Sequence, residues 1–275
     1  MSWWALRARP AAAERDAVAA WLVSRSGQAV EERDDGTLVA FQERADAAAA
    51  LADQTTQRFG LGVELEELPV TDWRARWRDG IQPRRIGRLL LTPSWLAATI
   101  PDSGPRVVLD PENAFGSGEH GSTRGALALL ERHVKRGDRM LDLGSGSGIL
   151  SIAAVQLGAG AAIGIECDAE AVAVAERNAA TNGVADRTVF LTGDAQDLIP
   201  VAGPAEMIVS NILRTVNVTL LPAIQPMLTA GGLAIFAGME ENEESLFRPA
   251  LAAAGFIAED EVRDAGWWSV AVRRA

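Results

Sequence analysis

Asp142, Gly144, Gly146 and Gly148 form a D-x-G-x-G-x-G pattern between an apolar segment and a helix-like segment. Glycines at alternate positions let a backbone pass close to a ligand, because no Cβ atom intervenes. The helix that follows would offer free N–H groups in its first turn. A dinucleotide-binding turn has a third glycine where this chain has Ile149. The spacing therefore predicts a ligand site at this turn and disfavours a dinucleotide.

The glycine spacing instead resembles the first motif of the class I S-adenosylmethionine-dependent methyltransferases, whose glycines accommodate the methionine and ribose parts of the cofactor. Such a site requires an acid at the end of the next strand, and Glu166 ends the segment I-G-I-E there. A carboxylate at that place can accept hydrogen bonds from both ribose hydroxyls. Asp168, two residues later, is instead a candidate helix cap.

Polar residues also follow the next two strand-like segments. Asp194 and Ala195 follow F-L-T-G, and the Asp194 carboxylate could accept from an adenine amino group, with a solvated turn acid as the alternative. Asn211 ends M-I-V-S-N. Because ligands of open α/β sheets bind beyond the carboxyl ends of the strands, we expect Asn211 to direct its amide into the reacting pocket.

A polar, glycine-rich loop, A-F-G-S-G-E-H-G-S-T-R-G, precedes the glycine turn and contains His120. His120 is a candidate general base, and holding the loop by hydrogen bonds is the alternative that we favour. The only other histidine is His133 and the only cysteine is Cys167. A metal site is therefore not expected, since zinc sites need clustered nitrogen and sulfur ligands.

From residue 106 onward, strand-like and helix-like segments alternate. This alternation predicts βαβ units and a mainly parallel sheet with helices on both faces. A final pair of strands, 257–262 and 268–273, is compatible with an antiparallel edge. The other predicted strands are 107–109, 139–143, 161–165, 188–192, 206–210 and 233–237, and the predicted helices are 123–135, 149–157, 169–182, 216–228 and 243–254.

The first seventy residues have the order β-α-β-β-α-β, which is the ferredoxin-like pattern. The predicted strands are 3–9, 28–34, 37–43 and 63–68, and the predicted helices are 11–26 and 45–59. Asp35-Gly36 between the middle strands is a hairpin signal. Trp73 and Trp77 then lie on one face of a predicted linker helix, with a substrate-contacting hinge as the alternative. The predicted domains are 1–70, a linker and hinge at 71–95, and 96–275.

The composition limits the classes of partner. The chain has 275 residues and a formal net charge of −11. This acidity argues against direct nucleic-acid binding and suits a basic partner. There is no run of eighteen apolar residues and no signal-peptide core at the N-terminus. We therefore expect a cytoplasmic protein without a membrane span. We also expect it to act as a monomer.

The succession A-F-G-S-G-E-H-G-S-T, D-L-G-S-G-S-G-I-L and N-I-L resembles the bacterial ribosomal protein L-eleven methyltransferases (PrmA family). That family has A-F-G-T-G-T-H-P-T-T and N-I-L-A at these places. The resemblance extends to Asp72, Trp73 and Trp77 of the linker and to P-S-W at 93–95, and thus covers essentially the whole chain. It implies a Rossmann-like class I methyltransferase sheet with helices on both faces, preceded by a small ferredoxin-like α+β domain that recognises the protein substrate.

The resemblance implies S-adenosyl-L-methionine as the methyl donor. The implied acceptors are lysine side chains and an N-terminal amine of a basic ribosomal protein. Carried over by position, the cofactor contacts fall on Thr123, Gly144, Glu166 and Asn211. A further set would surround the methionine part: Phe115, Gly116 and Gly118.

The mechanism expected on this basis is an in-line methyl transfer to an amine, for which alignment supplies most of the catalysis. A lysine with an ordinary pKa of about 10.4 must first lose its proton, and desolvation lowers that pKa. The side-chain oxygen of Asn211 and the backbone carbonyl of Ile212 are expected to accept hydrogen bonds from the amine.

Departures from the family pattern leave the identity of the methyl acceptor undecided. Glu119, Gly121, Ser122 and Arg214 replace threonine, proline, threonine and alanine. The alternatives are a methyltransferase for another protein lysine or a small amine, and a catalytically silent cofactor-binding partner. A nucleic-acid methyltransferase is disfavoured, because Asn211 is not followed by the proline and aromatic residue that would stack a flipped base.

Overall fold

The structure is a computed structural model, and it describes residues 3–12, 14–26, 30–33, 35–42, 44–68, 82–101, 104–110, 118 and 120–275. Two compact units are present, Met1–Ile81 and Gln82–Ala275. Residues 82–95 group with the second unit. The predicted linker positions Asp72, Trp73 and Trp77 lie outside the described residues, as do Phe115, Gly116 and Glu119.

The first unit is a four-stranded antiparallel sheet with the order β2-β3-β1-β4. Two helices accompany it, and the order along the chain is the predicted β-α-β-β-α-β. Helix α2 ends at Gly60, whose φ of 66° is the left-handed conformation that glycine adopts most easily. The elements are β1 (Trp3–Ala8), α1 (Arg15–Ser26), β2 (Glu31–Glu32), β3 (Leu38–Gln42), α2 (Ala45–Phe59) and β4 (Val63–Leu68).

The second unit contains a seven-stranded sheet with the order β10-β9-β8-β11-β12-β14-β13. Strands β8 to β12 are parallel, and β14 runs antiparallel between β12 and β13. Its strands are β8 (Arg139–Leu143), β9 (Ala161–Glu166), β10 (Thr188–Thr192), β11 (Ala205–Asn211), β12 (Leu228–Glu240), β13 (Phe256–Asp264) and β14 (Trp267–Arg274). This arrangement confirms the predicted parallel sheet with an antiparallel edge.

Helices cover both faces of this sheet. Successive strand residues alternate between two hydrophobic clusters: Met140 packs with one and Leu141 with the other. Such alternation is expected of strands buried on both sides. The first cluster includes α4 (Gly121–His133), α5 (Ile149–Leu157) and α6 (Ala169–Thr181); the second includes α7 (Ala195–Ala202), α8 (Arg214–Met227) and α9 (Glu244–Ala253).

Some elements differ from the sequence prediction. The segment from Arg88 was expected to form a strand that leads into a turn at Thr92-Pro93; the strand ends at Thr92, and a one-turn helix, α3 (Ser94–Ala97), follows Pro93. A small sheet, β5 (Arg84–Ile86), β6 (Leu89–Thr92) and β7 (Arg106–Val108), was only partly foreseen. Helix α7 was missed, because it is short and contains Pro200, which removes a helical N–H. A 3₁₀ turn, Glu241–Glu243, precedes α9. None of the described helices is long and apolar enough to cross a bilayer.

Candidate active site

A cavity of about 610 Å³ lies at the carboxyl ends of the parallel strands of the second unit. This is where open α/β sheets bind their ligands. Residues from the strand ends, the glycine turn and the start of α4 form its walls. They are His120, Ser122, Thr123, Gly144, Ser145, Gly146, Ile149, Leu150, Ile165, Glu166, Cys167, Gly193, Asp194, Ala195, Asn211, Ile212, Leu213, Val216, Leu220, Gly238 and Trp267.

The glycine turn joins β8 to α5. Gly144 has a φ of 72°, and a Cβ atom there would lie 2.4 Å from Cγ2 of Ile212. The backbone N–H groups of Gly144 and Ser145 both donate to the Ile165 carbonyl, at 2.8 and 3.1 Å. Glycine is therefore required at position 144 both for its conformation and for the close approach of the opposite wall.

Asp142 does not line this cavity, contrary to its predicted role as a cofactor contact. The side chain is fully buried, and its Oδ2 atom accepts from the backbone N–H and the hydroxyl of Ser151, at 3.0 and 2.7 Å. Burial raises the pKa of Asp142 to about 6, although the Ser151 bonds oppose that rise. The aspartate thus holds the start of α5 beneath the turn. Gly148 and Gly118, also predicted contacts, are not among the lining residues.

Glu166 lies at the cavity wall, at the end of β9. Its Oε2 atom accepts from the Gly146 N–H at 2.9 Å, and its Oε1 atom accepts from the Asp168 N–H at 3.1 Å. These backbone donors fix the carboxylate in place. Asp168 itself caps α6 by accepting from the Glu170 N–H at 2.8 Å, as the sequence indicated.

Cys167 borders the same wall as a free thiol. Its Sγ atom contacts Oε1 of Glu166 at 3.3 Å, and this hydrogen bond, together with the carboxylate's charge, raises the pKa of the thiol. The cysteine is therefore held in its neutral form beside the acid.

Asp194 and Ala195 border the far end of the cavity, after β10. The Oδ1 atom of Asp194 accepts from the Gln196 N–H at 2.7 Å and caps α7. Asp194 therefore has a structural role as well as a position at the cavity wall.

Asn211 and Thr123 meet across the cavity from the glycine turn. Thr123, in the first turn of α4, is fully buried, and its Oγ1 atom accepts from Nδ2 of Asn211 at 3.3 Å. The Oδ1 atom of Asn211 is buried and has no hydrogen-bond partner among the described residues. An unpaired buried oxygen is costly, so this atom is suited to accept from a ligand.

The carbonyl of Ile212 does not have the predicted orientation. It accepts from Nδ2 of Asn217 at 3.2 Å, and a Cβ atom at Gly238 would lie 2.4 Å from it. The side chain of Ile212, rather than its carbonyl, meets the glycine turn. A hydrogen bond from the acceptor amine to this carbonyl is therefore not supported.

Asn217, in α8, is a residue that the sequence analysis missed. It is fully buried, accepts from the Ser210 hydroxyl at 2.6 Å and donates to the carbonyls of Ile212 and Ala237, each at 3.2 Å. These bonds join the end of β11 to β12 through the two residues that flank Asn211. The sequence does contain a signal for it: the helix that follows N-I-L is amphipathic, and Asn217 is a polar residue on its inward face.

His120 precedes α4 and borders the cavity together with Trp267, which the sequence analysis also missed. The Nδ1 atom of His120 lies 2.8 Å from the Ser122 hydroxyl, and its ring centroid lies 4.2 Å from that of Trp267. These contacts favour the loop-holding role. A Cβ atom at Gly121, where the related family has proline, would lie 2.7 Å from Cδ1 of Trp267. The small residue at 121 thus leaves room for the tryptophan.

Arg214, another departure from the family pattern, is directed elsewhere. Its Nε atom lies 3.1 Å from Oε1 of Glu243, and it is absent from the cavity wall. The ion pair links the start of α8 to the turn before α9. The side chain therefore changes a surface contact rather than the lining of the site.

The strand order, the glycine turn and the strand-end acid together define a class I methyltransferase. Residues 9–275 match the model of the ribosomal protein L11 methyltransferase (PrmA) family. The chain belongs to that family, and it is an S-adenosylmethionine-dependent protein methyltransferase.

Individual relatives agree with this assignment. The ribosomal protein L11 methyltransferase of Thermus thermophilus is 38% identical over 212 residues, covering 76% of this chain and 80% of that protein. The one from Synechococcus sp. strain RCC307 is 34% identical over 278 residues, covering 98% of this chain and 88% of that protein. Among solved structures, the ribosomal protein L11 methylase of Lactobacillus delbrueckii subsp. bulgaricus has a TM-score of 0.64 and 30% identity, covering 70% of this chain and 99% of that one.

The cavity fits S-adenosylmethionine. Its volume is in the range of small-molecule sites, the glycine turn lets the ligand approach the backbone, and Glu166 presents a fixed carboxylate. The hydroxyl of Ser145, at the same wall, is buried without a hydrogen-bond partner among the described residues. When bound, the cofactor supplies an electrophilic methyl group.

Proposed function

We propose that this chain methylates lysine side chains, and the N-terminal amine, of ribosomal protein L11. The observation that carries the proposal is the Oδ1 atom of Asn211, which is buried at the cavity wall without a partner. Because Nδ2 of the same amide is bound to Thr123, the oxygen is left to accept a hydrogen bond. An amine N–H is a donor of the required kind.

The cofactor half of the cavity supports a specific set of contacts. Glu166 binds the ribose hydroxyls, since a carboxylate can accept from two of them. Asp194, beside Ala195, accepts from the adenine amino group. The backbone at Gly144 and Gly146 lies against the methionine and ribose parts of the cofactor. Thr123 contributes by accepting a hydrogen bond from Asn211 and so orienting its side chain.

The acceptor half supports removal of water from the amine. Leu213 and Val216 border the cavity with exposed fractions of 69% and 42%, so an apolar surface surrounds its mouth. Such a surface suits the methylene stem of lysine, whose charged head would enter the pocket. Desolvation there lowers the lysine pKa, and the proton leaves to solvent. No separate general base is required by this proposal, and His120 is engaged with Ser122 and Trp267.

The proposal extends to the partner and the compartment. The first unit recognises the protein substrate, in keeping with its separate core and with the family to which the chain belongs. The net charge of −11 favours a basic protein over direct contact with nucleic acid. The enzyme acts as a monomer in the cytoplasm, where its proposed substrate is synthesised.

The test is the intact mass of purified L11 after incubation with enzyme and S-adenosylmethionine. We expect additions of whole methyl groups, and a loss on the order of 100-fold in rate for Asn211→Ala, because the amine is no longer positioned. Cofactor binding, measured by calorimetry, should remain in that variant. Asn242→Ala, at an exposed asparagine, is the matched control and should retain activity.

Two outcomes would contradict the proposal in different ways. Full activity of Asn211→Ala would remove the assigned role of that residue. Unmodified L11 in the presence of cofactor-bound enzyme would favour another protein lysine or a small amine as the acceptor. Mass spectrometry of proteins from a deletion strain would identify such an acceptor.

A further inference from the structure

Trp267 borders the cavity from the antiparallel edge of the sheet. It begins β14 and pairs with Glu240, at the end of β12. In the sheet, β11 with Asn211 lies between β12 and β8, the strand that leads to the glycine turn. Two strands, β11 with Asn211 and β12, therefore separate Trp267 from the glycine turn after β8, and Trp267 borders the cavity from the opposite side.

The position of Trp267 is fixed by several contacts. The His120 ring packs against its ring, and Gly121 provides space where any Cβ atom would clash with it. Asp264, which pairs with Trp267 across the β13–β14 turn, forms a two-point ion pair with Arg124 of α4, at 2.5 and 2.9 Å. This ion pair attaches the turn to α4. The tryptophan is thus held as a rigid wall instead of a loose surface group.

The hydrogen-bonding capacity of the acceptor nitrogen decreases as methylation proceeds. A neutral primary amine has two N–H groups that can donate to Oδ1 of Asn211, whereas the nitrogen of a neutral dimethylated lysine, a tertiary amine, has none. Each transfer forms one N–C bond and breaks the C–S bond of the donor, whose electron pair stays on sulfur. The positive charge then resides on nitrogen, and a proton must leave to solvent before a further transfer.

Methylated ammonium groups bind aromatic faces, because the ring quadrupole attracts a poorly hydrated cation. We propose that the Trp267 ring binds the methylated forms of the acceptor nitrogen and so determines how many methyl groups the enzyme adds. Asn211 serves the early transfer and Trp267 the later ones. This inference rests on the proposed function in that it takes an amine to enter this cavity.

The first test compares the methylation states produced by Trp267→Leu, Trp267→Phe and the wild type, with L11 as substrate. In the leucine variant we expect the first transfer to change by less than threefold and the later transfers to slow on the order of tenfold. Monomethylated lysine would then accumulate. Trp267→Phe, which keeps an aromatic face, should restore most of the later transfers. Ile257→Ala, at an exposed apolar residue of β13, is the control.

An equal slowing of all transfers in Trp267→Leu, or an unchanged distribution of products, would overturn the inference. A wild-type enzyme that leaves L11 unmodified would instead contradict the proposed function. The two failures are therefore distinguishable in one experiment.

The second test needs no ribosomal protein. Tetramethylammonium is titrated into cofactor-bound enzyme while the indole N–H resonances are followed by NMR, and the Trp267 signal is identified by its absence in Trp267→Phe. We expect a saturable shift of that signal, and a smaller shift with neopentyl alcohol, which has a similar shape and no charge. Equal responses to both compounds would contradict binding through the ring face.

Discussion

The substitution Asp142→Asn tests whether a buried carboxylate under the glycine turn lowers stability at neutral pH. Burial raises the pKa of Asp142 from 3.8 to about 6, because few groups replace the water that would solvate its charge. Only Ser151 donates to it among the described residues, and its Oδ1 atom has no partner there. Asparagine keeps the shape and an oxygen for Ser151 but cannot ionise.

The sign of the effect follows from proton binding. Between pH 3.8 and about 6, the folded protein keeps the proton of Asp142 while the unfolded chain loses it. The free energy of unfolding therefore falls as the pH rises through this window, by roughly 3 kcal/mol in all. The range from pH 5 to pH 7.5 contributes about 1.4 kcal/mol of this fall, because the folded group loses its proton around pH 6. Above about pH 7 the contribution of this residue stays constant.

The measurement is urea unfolding of wild type and Asp142→Asn at pH 5 and pH 7.5. Hydrogen exchange of the amides of α5 reports the unfolding of the second unit, which contains Asp142. We expect the free energy of unfolding of the variant, relative to wild type, to be higher at pH 7.5 than at pH 5 by about 1.4 kcal/mol. Asp186→Asn, whose side chain is 80% exposed, controls for the loss of one carboxylate. A difference between variant and wild type that does not change with pH would refute the reasoning.

Two further predictions concern the walls of the site. Gly144→Ala should weaken cofactor binding by about tenfold or more in calorimetry, because the added Cβ atom would meet the side chain of Ile212 on the opposite wall. Gly183→Ala is the control: its φ is 65° and no atom lies within 4 Å of the added Cβ, so this variant should lose stability but keep its affinity for the cofactor. Equal losses of affinity in both variants would contradict the steric argument. Asn217→Ala should lower the free energy of unfolding by about 2 kcal/mol, since it leaves buried polar groups unpaired. It should also lower kcat more than it changes cofactor affinity, and an unaltered kcat would show that Asn217 does not position Asn211.

The placement of Gly144, Glu166 and Asp194 at the cavity wall was predictable from the sequence, whereas their contacts with a cofactor remain predictions. Gly144 and Glu166 lie at the ends of neighbouring parallel strands, and the place of a strand end follows from short apolar segments and the glycines after them. The position of Asp194, after the next strand, follows in the same way. The misassignment of Asp142 has a physical reason, because a pattern of residue types does not reveal which side of a turn an acid faces. Its partner, Ser151, is on the helix that the turn begins.

The acceptor half was less predictable, because its geometry depends on contacts between distant segments. Trp267 reaches the cavity only because β14 inserts antiparallel between β12 and β13. The carbonyl of Ile212 is turned away from the expected direction by a side chain of the next helix, Asn217. Neither effect follows from local spacing. The roles proposed for the first unit, and for the linker at 71–95, remain predictions.

The departures of this chain from the family pattern now have different consequences. Arg214 is paired with Glu243 and leaves the cavity wall unchanged, so it gives no reason to expect a different acceptor. Gly121 is different, because a Cβ atom there would lie 2.5 Å from the Asp264 carbonyl oxygen and 2.7 Å from Cδ1 of Trp267, whose ring packs beside His120. A departure in the loop is thus coupled to an aromatic wall of the cavity. If this chain differs from its relatives, the difference should therefore lie in the number of methyl groups added, while cofactor binding stays the same.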